Sequence, residues 1–175
     1  HAGGTAYRKV TRLVPWAPSS MIIGEAATGL GDPIPCAEMT KADIELTIQQ
    51  FADAAVRAVQ AGFDGVEIHA AHAYLLNEFF SPLTNHRTDE FGGSLENRAR
   101  FPLMVLDRIR QRVGRDLLIE YRISGSECVP GGFEIDECIE FFKLIQDRID
   151  IAHISAGVVR EPRLRAITHP TSFLP

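Results

Sequence analysis

Only three cysteines occur in the 175 residues, Cys36, Cys128 and Cys138. They are widely separated and form no C-x-x-C pair, which argues against a disulfide framework and against a cysteine metal site within these residues. Three free thiols fit a reducing cytosol, so a cytoplasmic location is expected. No apolar run approaches the roughly 20 residues needed to span a bilayer, and a membrane protein is not expected. Basic charge is also short. Lys and Arg number 18 against 23 Asp and Glu, for a net charge of -5, and the two signs are interleaved. A nucleic-acid reader normally carries a basic stripe or patch, so no nucleic-acid partner is expected. The first residues, His1-Ala2-Gly3-Gly4, include no initiator Met, no charged n-region and no apolar h-region, and the chain reads as the middle of a longer one.

What is present is ordinary globular material, 45% hydrophobic and 23% charged. From Thr40 onward one pattern repeats: an amphipathic helix, a short Gly/Asp-rich connection, then a β-branched run. Thr40 and Asp43 can cap a helix whose apolar positions are Ile44, Ile48, Phe51 and Ala55, with Gly62 as its end. A strand candidate, Val66 to His69, follows, and then a long polar stretch ending near Ser94. A second helix should run to Val113, with Phe101, Val105, Ile109 and Val113 inward and Gly114 as its stop. Pro102 suggests that this helix starts just before the proline or kinks there. The next strand, Leu117 to Ile123, has a near-continuous apolar start that suits a strand covered on both faces. A third helix carrying Ile135, Ile139, Phe142 and Ile145 leads to a third strand, Ile151 to Ser155.

Helix-linked parallel strands leave an open doubly wound sheet or a closed barrel. No G-x-G-x-x-G or G-K-[ST] loop follows any strand, which favours the barrel. The expected fold is therefore α/β, a partial TIM (β/α)8 barrel with parallel strands. Residues 1–175 would be the central part of one barrel domain, incomplete at both ends, because a whole barrel needs about 250 residues. The Pro-rich segment Gly3 to Met39 is expected to be an extended loop over the top of the barrel. A half barrel exposes apolar edges and faces, so association with another copy or with a missing barrel half is expected.

Barrel chemistry sits at the C-terminal strand ends. There the sequence places His69, His72 and Tyr74 after one strand, and Arg122, Ser124, Ser126 and Glu127 at and after the next. Two histidines three apart can bind a metal, act in acid–base chemistry, or donate two hydrogen bonds to one ligand oxygen. Glu67, two residues before His69, would be the third ligand in the metal reading, that of a hydrolase. The ordinary alternative for His69 is a core histidine satisfied by a carbonyl, and for Tyr74 simple packing at the start of Tyr74-Leu75-Leu76. Arg122, ending an apolar strand, asks for an anion or polar ligand.

The run from Gly62-Phe63-Asp64-Gly65-Val66-Glu67-Ile68-His69-Ala70-Ala71-His72-Ala73-Tyr74 through Asn77-Glu78-Phe79 resembles the active-site strand of the Old Yellow Enzyme family. Asn85-His86-Arg87-Thr88-Asp89-Glu90-Phe91-Gly92-Gly93-Ser94 resembles the loop that follows it. Tyr121-Arg122-Ile123-Ser124 and His153-Ile154-Ser155-Ala156-Gly157 are similar to the next two family strands, and the wording is nearest the 2,4-dienoyl-CoA reductase and enoate reductase branch. His1-Ala2-Gly3 resembles the end of an earlier family strand that normally continues with Arg, where Gly4 stands here.

The resemblance implies an FMN-dependent oxidoreductase with NADH or NADPH as donor. Its small-molecule substrate would carry an activated alkene, which receives a hydride from flavin N5 at its β-carbon. It implies that His69 and His72 hydrogen-bond the substrate's electron-withdrawing oxygen, which gains charge as the hydride arrives. It implies that Tyr74 protonates the α-carbon from the opposite face, and that Arg122 lies beside the flavin ring and favours its anionic reduced form. An iron–sulfur cluster and FAD belong to longer members of that branch, not to these residues. The Arg87 to Phe101 segment is expected to be structural: Gly92-Gly93 a turn, Ser94 a cap, and Arg87, Asp89, Glu96 and Arg98 ion pairs within the loop. The rival expectation is a non-catalytic barrel fragment that does not retain flavin.

Overall fold

The computed structural model describes residues 3–5, 13–23 and 34–157. Its centre is a three-stranded parallel sheet of β4 (Gly65–Ala70), β5 (Leu118–Ser124) and β6 (Ile151–Ser155), in that order. The connections are helical: α2 (Leu75–Phe80) and α3 (Leu95–Val113) link β4 to β5, and α4 (Ile135–Ile145) links β5 to β6. α1 (Lys41–Gln60) precedes β4. This is the repeating unit of a TIM barrel, as the hydrophobic pattern predicts.

The helix ends follow from their caps. Thr40 and Asp43 form a reciprocal capping box at α1, with the Thr40 backbone N–H donating to Asp43 Oδ2 at 2.9 Å and the Asp43 N–H to Thr40 Oγ1 at 3.2 Å. Ser94 caps α3 by accepting from the Asn97 N–H, and Gly114, at φ +70°, ends that helix. Pro102 lies inside α3, well past its first turn and buried. The proline therefore neither marks the start nor sits in the first turn, and its apolar ring contributes to the packed face.

β5 alternates rather than being covered on both faces. Ile119, Tyr121 and Ile123 are buried against the helices, while Glu120 and Arg122 are half-buried and Leu118 is exposed on the opposite face. β4 obeys the same rule, with Ile68 and Ala70 turned to the helices and Glu67 and His69 to the other side. The core joins sheet and helices through aromatic rings: Phe79 on α2 meets Phe101 on α3 at 4.5 Å between centroids. Phe80 and Tyr121 both meet Phe141 on α4, at 4.7 and 5.5 Å. Each ring fully removed from water stabilises the fold by about 1.5–3 kcal/mol.

Two local expectations are corrected, and the inward face of α4 is set by the packing. The polar stretch after β4 contains α2, a six-residue helix whose residues are all buried. α4 presents Cys138, Phe141 and Ile145 to the core, whereas Ile135 and Ile139 are exposed. Ile139 and Phe142 instead line a groove of about 400 Å³ with Ile149 and Ala152 beside β6. α4 thus has two apolar faces, and a 3.6-residue period can be satisfied by either. Finally, the Pro-rich N-terminal segment contains short strands. β1 (Trp16–Ala17), β2 (Met21–Ile23) and β3 (Ile34–Glu38) form a small sheet in the order β1-β3-β2, parallel on one side and antiparallel on the other. The rest of that predicted loop lies outside the described residues.

The small sheet is fastened to the loop between α2 and α3. Arg87 Nη1 donates to the carbonyls of Pro18 and Met39 at 2.9 and 2.7 Å, and the His86 N–H donates to Ser19 Oγ at 2.9 Å. Upstream, the Gly4 N–H donates to both oxygens of fully buried Glu78 at 3.1 Å. No helix among the described residues is long and apolar enough to cross a membrane.

Candidate active site

At the end of β4 the chain makes an unusual turn. His72 and Ala73 both take left-handed backbone conformations, φ +58° and +59°, without being glycine. Such residues cost about 1–2 kcal/mol each and persist where neighbours hold them. Here Asn77 Oδ1 accepts from the Ala73 N–H at 2.6 Å, and the Tyr74 N–H donates to the Ala71 carbonyl at 3.2 Å. The turn brings three side chains together. The His69 ring lies 5.4 Å from that of His72 and 4.8 Å from that of Tyr74, centroid to centroid.

Arg122 completes the group through sheet register: it pairs with His69 on one side and His153 on the other. All four residues singled out in the sequence, His69, His72, Tyr74 and Arg122, therefore stand at one end of the parallel sheet. His69 Nδ1 and Arg122 Nε are buried and have no hydrogen-bond partner among the described residues, and Asn77 Nδ2 shares that condition. Glu67 is the nearest anion, its Oε1 4.0 Å from both His69 Nδ1 and Arg122 Nη1. The anion that the sequence demanded for Arg122 is thus partly supplied from within the chain, two residues before His69.

Electrostatics keep both imidazoles neutral near pH 7. Burial, reinforced by the positive Arg122, lowers the His69 pKa from its ordinary value. The same two causes, in the same order, push His72 down to about 4. A neutral imidazole carries one N–H, so each ring offers one donor and one acceptor.

The metal reading finds a different set of residues. Among the described residues, the ligand atoms that come within 4.8 Å of one another belong to Glu67, Glu120 and His153, not to His69 and His72. His153 Nδ1 lies 3.1 Å from Glu67 and 2.9 Å from Glu120. Sequence reasoning missed the part played by Asn77 and the contacts that Ser124 and Ser155 make with His72. His72 Nε2 is 2.7 Å from Ser155 Oγ, and the His72 amide is 3.5 Å from Ser124 Oγ. Both serines were quoted among the strand-end residues, but nothing in a single sequence pairs them with a histidine 52 or 83 positions away.

The downstream loop is structural in geometry. Arg87 Nε and Nη2 clasp the two Asp89 oxygens at 3.0 and 2.6 Å. Gly93 has φ +84°, and a Cβ on Gly92 would collide with the Arg87 backbone. Arg98 departs from the expected pairing within the loop: it donates to Glu137 on α4 and to the Phe80 carbonyl, at 2.6 Å for the latter. Cys36 and Cys138 are buried and Cys128 is exposed; burial pushes the Cys138 thiol up to about 11.

Parallel strands with helical crossovers, carrying a polar cluster where the strands end, make up part of a TIM-barrel fold. The chain belongs to the NADH:flavin oxidoreductase / NADH oxidase family, whose model matches residues 7–171. It is 41% identical to the NADH oxidase of Thermoanaerobacter brockii, over 99% of this chain and 26% of that protein. Among solved structures it resembles a 2-naphthoyl-CoA reductase in complex with 2-naphthoyl-CoA, with a TM-score of 0.82 and 33% identity over 93% of this chain and 26% of that one. The old yellow enzyme homologue of Zymomonas mobilis superposes with a TM-score of 0.79 and 31% identity, over 91% of this chain and 46% of that one. The chain thus spans between about a quarter and a half of the length of these proteins.

Proposed function

We propose that these residues form the substrate-binding wall of an FMN-dependent NAD(P)H oxidoreductase that reduces carbon–carbon double bonds activated by a carbonyl or similar group. The observation that carries the reading is the convergence of His69, His72 and Tyr74 beside Arg122, with buried donor-capable atoms that have no partner among the described residues. The residues fit the cofactor. A flavin's pyrimidine edge presents carbonyl and ring-nitrogen acceptors, and Arg122 offers a fixed positive charge with an unused buried N–H. When bound, FMN supplies the hydride.

The chain's own residues supply the rest. His69 and His72, both held neutral by burial, each direct one N–H at the substrate's electron-withdrawing oxygen. Two neutral donors stabilise the developing oxyanion without either imidazole protonating it outright. The hydroxyl of Tyr74 gives its proton to the α-carbon, so that the alkene gains one hydride and one proton. Arg122 holds the cofactor edge and compensates negative charge there.

We propose further that the whole protein takes its electrons from NADH or NADPH in the cytoplasm, and that residues 1–175 are the central part of one barrel domain. The exposed Ile135, Ile139, Ile151 and Ile154 form an apolar margin along α4 and β6 where further βα units, or failing those a second copy, would pack. An iron–sulfur cluster or FAD would have to be carried outside these residues, whose three cysteines form no cluster.

The test is the visible spectrum of the purified protein after FMN is added and the excess removed. Retained flavin that bleaches with NAD(P)H and recovers with an enone supports the proposal. Loss of all flavin favours the rival reading, a non-catalytic barrel fragment.

A further inference from the structure

His72 Nε2 and Ser155 Oγ lie 2.7 Å apart across the sheet, a hydrogen bond whose direction depends on where the ring keeps its single proton. Ser155 ends β6 and pairs in register with Ser124 on β5. Ser124 is fully buried, donates its hydroxyl to the Gly157 carbonyl at 2.9 Å and stands 3.5 Å from the His72 amide. The two serines therefore occupy adjacent strand ends with the imidazole beside them. Ser155 Oγ has no second hydrogen-bond partner among the described residues. If it donates to Nε2, both groups are satisfied within the protein; if its oxygen accepted from Nε2, the half-buried O–H would have only solvent to donate to.

We infer that Ser155 is a positioning residue that donates its hydroxyl proton to His72 Nε2 and so fixes the imidazole as the Nδ1–H tautomer, leaving Nδ1–H as the donor toward the substrate oxygen. The inference that Nδ1–H meets substrate rests on the proposed function, whereas the tautomer itself does not. His72 Nδ1 has no protein partner among the described residues, so the proton placed there is free to meet a ligand. The left-handed backbone at His72 and Ala73 fixes where the ring starts, and Ser155 fixes which edge is the donor. Among the described residues neither His69 nor Tyr74 has an equivalent hydroxyl contact, so the selection acts on one histidine of the pair.

The experiment is two-bond ¹⁵N–¹H correlation NMR of the imidazoles in the full chain, without substrate, at neutral pH. The expected result is a protonated-type shift at His72 Nδ1 and an unprotonated-type shift at Nε2. Ser155→Ala should give a mixture of tautomers, and Ser155→Thr, which keeps the hydroxyl, should restore the wild-type pattern. A wild-type His72 with its proton on Nε2, or a pattern indifferent to Ser155→Ala, overturns the inference. In an alkene-reduction assay Ser155→Ala should lose roughly tenfold in kcat/KM, the scale of one hydrogen bond, with Ser155→Thr recovering most of it. The two claims separate cleanly. A correct tautomer in a protein that reduces no alkene refutes the proposed function alone, and an active enzyme with the other tautomer refutes the role of Ser155 alone.

Discussion

The turn that ends β4 and the loop that follows α2 are close in sequence and opposite in their hydrogen bonding. In the loop, every nitrogen of the Arg87 guanidinium has a partner at 3.0 Å or less. Asn85 Nδ2 donates to the carbonyls of Phe79 and Phe91 at 2.6 and 2.7 Å, and Thr84 Oγ1 to that of Glu78 at 2.6 Å. At the turn and its neighbouring strand, His69 Nδ1, Asn77 Nδ2 and Arg122 Nε are buried without such partners among the described residues. Each unsatisfied buried group costs about 1–3 kcal/mol, which a scaffold avoids and a binding site tolerates because its ligand supplies the partner. Satisfaction, more than polarity or family likeness, separates the part that holds the fold from the part that meets a ligand.

The comparison breaks most visibly at Arg87. Arg87→Ala strands Asp89 and two buried carbonyls, and should lower unfolding free energy by about 3–5 kcal/mol in a denaturant titration. A change under about 1 kcal/mol would mean that the loop is not the fastener described here. Tyr74→Phe should do the reverse, leaving the melting curve nearly unmoved while alkene reduction falls by about two orders of magnitude or more. Undiminished turnover would remove Tyr74 as proton donor.

His72 offers a pH test of the same contrast. Its folded pKa of about 4 lies below the ordinary 6.5, so the neutral form is the one the fold favours. Its contribution to stability is therefore full above pH 6.5 and is lost as pH falls toward about 4. An NMR titration with a His72 midpoint near 6.5 would show that the ring is not desolvated. The smallest effect is a calibration outside both regions: Thr40→Ala should cost about 1 kcal/mol by removing the α1 cap, with no change in flavin retention.

Much of this was legible in the sequence because it depends on local rules. The α1 capping box, the Gly114 stop and the parallel order follow from spacing and punctuation alone. His69, His72, Tyr74 and Arg122 could be singled out because they follow apolar runs at strand ends, and the structure brings them together. What was illegible depends on tertiary context. The inward face of α4 is chosen by Phe80 and Tyr121, which meet Phe141, while Ile135 and Ile139 satisfy the same periodicity on the other side. The buried helix α2 is shorter than two full turns, too brief for an amphipathic pattern to register. Arg98 reaches Glu137 across 39 positions, a pairing that no local spacing announces.

The alternation along β5 also constrains how the chain can vary. Tyr121 packs among helices and its neighbour Arg122 belongs to the candidate site, so adjacent letters serve different masters. Inserting or deleting one residue between Leu118 and Tyr121 would slide the strand by half a pleat and exchange the two readings at once. The guanidinium would then be driven toward Phe141, and the phenol into the place where charge is wanted. Substitutions in such a strand can be absorbed one at a time, but a change of length rewrites the whole line, so here the reading frame of the pleat is held more tightly than the spelling.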